Sequence, residues 1–176
     1  MSLIVLVGIL GILVVKFYKK PLAKIVSNDN KMVQQLKNAS WYQNHWVGGV
    51  VLFVVNTVLF TSTVFGLYLA IFFSMSFILL IAILFGVIGS IYSWSILNNA
   101  WQGTKRNRLK MGLVGSSFYA LLTLALAYLW VTLKPSNPGE DTFMGGIGLV
   151  FGMIVTLVAF TVCFIVTSYS KKEEDN

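Results

Sequence analysis

Asn56 is the residue of this chain best placed to do chemistry in an apolar setting. It is a primary amide set among Val54, Val55, Val58 and Leu59. Thr63 lies seven residues on, two helical turns away and on the same face. Ser90 and Ser93 are hydroxyls in a second apolar run. A buried amide must find partners, and in hydrocarbon it finds them on another helix. Two readings follow. Asn56, Thr63, Ser90 and Ser93 could line a polar cavity that holds a neutral solute, or the amide could join helices by hydrogen bonds. The second needs no ligand and is the simpler expectation.

The remaining reactive side chains do not form a catalytic set. His45 is the single histidine and Cys163 the single cysteine. One of each, far apart, falls short of a metal site, and a lone cysteine excludes an intrachain disulfide. Cys163 sits in an apolar run that disfavours a thiolate. Glu140 and Asp141 are adjacent in a turn-rich stretch, where solvation is expected rather than a general acid/base pair. Gly145, Gly146 and Gly148 do not fit a phosphate-binding glycine pattern. The expectation is a non-enzyme with no cofactor and no metal.

The elements that carry these residues are set by charge and length. Between Asn38 and Thr104 there is no Lys, Arg, Asp or Glu. The chain has 176 residues, 57% hydrophobic and 11% charged, and its mean hydropathy is +0.80. Soluble domains carry about 25% charge, so the solvent for this one is lipid. A helical crossing takes about 20 apolar residues, and strand-like alternation is missing. The fold expected is an all-α integral membrane protein, a single five-helix membrane domain. Its crossings fall at about 2–18, 46–66, 77–97, 112–133 and 145–168. The first is short, with only Leu3–Val15 apolar before Lys16. The break between the second and third falls within 66–76. Trp41, Tyr42, Trp46, Tyr92, Trp94 and Trp101 read as aromatic belt residues at headgroup level. Ser27–Asn30 reads as a turn capping a short helix.

Orientation follows from Lys and Arg. Lys16, Lys19 and Lys20 at the end of the first crossing, the loops 21–45 and 98–111 and the C-terminal tail together hold all of them except Lys134, which lies in the loop 134–144. Twelve of thirteen on one side is the pattern of a cytoplasmic face. The N-terminus is therefore expected outside and the C-terminus inside. Lys105, Arg106, Arg108 and Lys110 are placed to meet anionic lipid headgroups or a partner's acidic surface. The net charge of +7 is read this way, not as a nucleic-acid footprint.

Small residues mark faces for close helix packing. In the last crossing Gly148, Gly152, Thr156, Ala159 and Cys163 recur at spacings of three and four, on one stripe. The stripe can pack within the chain, or receive a membrane protein partner or a second copy. The function expected is a non-enzymatic membrane subunit or accessory protein that binds a protein partner. The alternative is a small transport or ligand-binding component for a neutral or apolar solute. Abundant Lys and Asn with little Arg suggest a bacterial inner membrane.

Overall fold

The computed structural model describes residues 30–134 and 142–168, without the side chains of Ser76 and Met144. The apolar stretch read as a first crossing at 2–18 lies outside the described residues, as do the C-terminal tail and most of the loop 134–144. Among the described residues the fold is all helix, in five pieces with no strand: α1 Lys31–Asn38, α2 His45–Phe72, α3 Ser76–Ala100, α4 Lys105–Thr132 and α5 Phe143–Ser168. Helices α2 to α5 are each long and apolar enough to cross a membrane. At 1.5 Å per residue the 28 residues of α2 span about 42 Å. This is a multi-pass membrane protein with four such helices described.

Side-chain caps start three of the helices. Asn30 accepts from the Met32 N–H at 3.0 Å and opens α1. Asn44 accepts from Trp46 at 3.0 Å and opens α2. Thr104 accepts from Asn107 at 3.4 Å and opens α4. Each cap removes one of the orphan donors of a helix N-terminus. The Thr104 cap also changes the reading of 98–111. That stretch was expected as a loop, yet only 101–104 lies between helices, and the cations after it form the first turns of α4.

The second and third crossings meet in a tight turn at 73–75. Ser74 has φ 52°, a left-handed conformation that favours glycine. Its N–H bonds the Ile71 carbonyl at 3.1 Å, and the Met75 N–H bonds Ala70 at 3.0 Å. Both bonds satisfy carbonyls at the end of α2. Gly66 is not the break. It lies within α2, where a Cβ would stand 3.0 Å from that of Ala82.

The four long helices run alternately up and down and stand at the corners of a square. Helix α2 packs on α3 and α4, and α5 packs on α4 and, more lightly, on α3. Although α3 and α4 are consecutive, they occupy opposite corners. Burial is concentrated toward one end, where α2 and α4 begin and α3 and α5 finish. There the core holds Tyr42, Leu52, Trp94, Leu97, Trp101, Met111, Phe118, Tyr119 and Cys163. Toward the other end few side chains are buried, Ala70, Ala82 and Thr156 among them.

Candidate functional site

The centre of the square is polar, and all four long helices build it. Asn56 on α2 is fully buried. Its Nδ2 donates to the Gly115 carbonyl of α4 at 3.0 Å and to the Cys163 Sγ of α5 at 3.6 Å. Its Oδ1 accepts from the Trp94 indole N–H of α3 at 2.7 Å. An amide has two donors and two acceptor sites, so both donors and one acceptor site are committed to helix–helix bonds. Trp94 packs edge-on to Tyr119 at 6.2 Å, so side chains bridge both diagonals of the square.

Glycines make that approach possible. A Cβ on Gly49 would stand 2.7 Å from the Val114 Cβ, and one on Gly115 would stand 2.6 Å from the Leu52 Cβ. Without side chains there, α2 and α4 close until Asn56 reaches a backbone carbonyl. On the hairpin, Gly86 sits against Thr63 and Gly89 against Leu59.

Of the residues expected to share a cavity, Asn56 and Thr63 bond different partners. Thr63 donates to its own helix at Leu59, 2.8 Å away, while Ser90 and Ser93 are half-buried. The small stripe of α5 is divided. Cys163 and Thr156 are buried and Ala159 packs against the core. The Thr156 and Thr123 hydroxyls lie 2.8 Å apart, joining α5 to α4. Gly152 faces Leu126, whose Cδ1 would stand 3.1 Å from a Cβ. Gly148 is exposed, and a Cβ there would meet nothing within 4 Å.

A second polar layer closes the well-packed end. Three of the orphan carbonyls that finish a helix are capped here at the end of α3. The Tyr42 hydroxyl donates to Leu97 at 2.8 Å, Gln43 donates to Ala100 at 3.2 Å, and Arg108 donates to Trp101 at 3.0 Å. Arg108 also donates to the Asn98 side chain at 3.2 Å. Gln43 accepts from the Gln102 N–H at 2.9 Å. Burial pushes the Tyr42 phenol well above its ordinary range, with the nearby Arg108 charge opposing. The Trp101 indole N–H is buried with no acceptor.

This layer corrects two expectations. Tyr42, Trp94 and Trp101 are not belt residues facing headgroups but core residues. Of the four cations read as a lipid or partner contact, Arg108 is half-buried in the α3 cap, while Lys105, Arg106 and Lys110 are exposed. One signal was present for Trp94. It lies seven residues before Trp101, about 10 Å deeper along a helix, too deep for a headgroup belt. His45 is half-buried beside Trp46, with ring centres 5.5 Å apart. Among the described residues no group of three His, Cys, Asp or Glu gathers at one point.

No family model, curated protein or solved structure matches this chain.

Proposed function

We propose that this chain is a non-enzymatic membrane subunit that binds a protein partner within the bilayer. It crosses five times, the stretch at 2–18 being the first, with its N-terminus outside and its C-terminus in the cytoplasm of a bacterial cell. The observation that carries the reading is the commitment of Asn56. The amide best placed to receive a solute holds four helices together instead, which favours a scaffold over a carrier. The open end of the bundle supports the partner. Gly148 has room beside it for a close helix, and small residues let backbones approach in lipid.

Two experiments test this. A photoreactive side chain at Gly148, in the full chain at native expression, is expected to give one adduct of fixed mass with a second membrane protein. The reading fails if the purified chain alone carries a neutral solute across vesicles and Asn56→Ala abolishes that flux. For topology, an impermeant thiol reagent on intact cells should tag a cysteine placed at Asn137 and spare one at Arg106. The reverse pattern inverts the map.

A further inference from the structure

Between Asp29 and Glu140 the chain has no acidic residue. The well-packed end of the bundle therefore presents Lys105, Arg106 and Lys110, all exposed, with no carboxylate beside them in sequence. They occupy the first two turns of a 28-residue helix, where the dipole adds positive charge. Arg108, from the same turns, is turned inward to cap α3. The three exposed cations do not share that structural duty. Trp41 and Trp46 belong to the same end, because Gln43, between them, bonds Ala100 and Gln102. Both indoles are more than half exposed. That end of the bundle thus combines exposed cations with exposed aromatic rings.

From this charge pattern we infer that Lys105, Arg106 and Lys110 form a docking surface for anionic phospholipid headgroups. An acidic protein surface would satisfy the cations but leave two indoles in water. A lipid interface takes both: phosphates meet the ammonium and guanidinium groups, and the indoles settle at headgroup depth. The surface holds lipid of one leaflet, independent of any partner at Gly148.

The test uses the full chain in mild detergent, titrated with short-chain phosphatidylglycerol or phosphatidylcholine and read by native mass spectrometry. Phosphatidylglycerol is expected to be retained preferentially, and the preference to fall with added salt. Each of K105Q, R106Q and K110Q should cut it about fivefold. K134Q, at the other end, should leave it unchanged and serves as the control. Arg108 is kept in every variant so that the α3 cap survives, and thermal unfolding verifies folding. Equal retention of the two lipids overturns the inference, as does a preference that survives all three substitutions. Two further outcomes also overturn it by naming another occupant. One is a preference that appears only after residues 173–176 are removed, which assigns the surface to the acidic tail. The other is displacement of phosphatidylglycerol by polyglutamate at equal charge, which assigns it to an acidic protein.

Discussion

A single amide at Asn56 decides how four helices meet, because an unpaired polar group in hydrocarbon is costly and this one is paired with three helices at once. Trp94→Phe keeps an aromatic ring and removes the N–H together with the five-membered ring. Asn56→Leu removes the amide at similar size. Each is expected to destabilise the fold by about 1–3 kcal/mol through a lost bond and a stranded partner. Because they share one hydrogen bond, the double variant should cost less than the sum. Membrane double-mutant cycles place such coupling at about 0.6 kcal/mol, with a ceiling near 1.7. Zero coupling in detergent unfolding would mean the 2.7 Å contact contributes nothing. Tyr42 is the second residue of this kind. Tyr42→Phe should cost about 1 kcal/mol by freeing the Leu97 carbonyl. The proton on its phenol is held more tightly folded than unfolded, the shift coming mainly from burial. Its stabilising effect is therefore complete below the unfolded value of about 10 and is lost as pH rises beyond it. The difference between wild type and Tyr42→Phe should shrink above that pH, as unfolding midpoints measured across it will show.

At the scale of elements, contact distance separates glycines that look alike in sequence. Gly115 and Gly148 both sit in apolar helices. A side chain on Gly115 collides with Leu52, whereas one on Gly148 meets open space. Gly115→Ala is expected to destabilise by about 1–3 kcal/mol through overpacking. Gly148→Ala should be neutral or stabilising by up to about 1 kcal/mol, from helix propensity. Gly152→Leu lies between, because its neighbour is the movable tip of Leu126, and it should lower the folded yield. The turn at 73–75 offers the opposite case. Ser74 adopts the left-handed conformation with a Cβ present, so Ser74→Gly should stabilise by about 1 kcal/mol. Unfolding of these variants in one detergent ranks all four.

Across the whole molecule, packing is graded from one end to the other. Tyr42, the residues 94–101, Met111–Tyr119 and Thr167 gather at the basic end, whereas no described side chain in 121–133 or 143–155 is fully buried. In detergent, amide exchange is expected to be slow over 48–58 and 111–119 and faster over 121–132 and 143–155. Uniform protection along α4 would contradict the gradient. The gradient also divides the roles proposed for the two ends. The closed end carries the polar caps and the cations, and the open end leaves room beside Gly148.

Membrane residence and helix type were legible in the chain itself, because hydrocarbon leaves the backbone little choice: uncharged apolar runs of that length must pair their own amides. The start of the short helix at Asn30 was legible in Ser27–Asn30 for a local reason, whereas α2 runs to Phe72, six residues beyond the expected 66. The partners of each polar side chain were not. Trp94 and Trp46 are the same residue type in the same half of the bundle, yet one donates to a buried amide and the other faces outward. Likewise, Arg108 caps a helix while Arg106, two positions away, points out. Those outcomes depend on which helices stand at adjacent and opposite corners. That arrangement is a property of the packed bundle, set where Gly49 and Gly115 let backbones touch, and no local stretch encodes it.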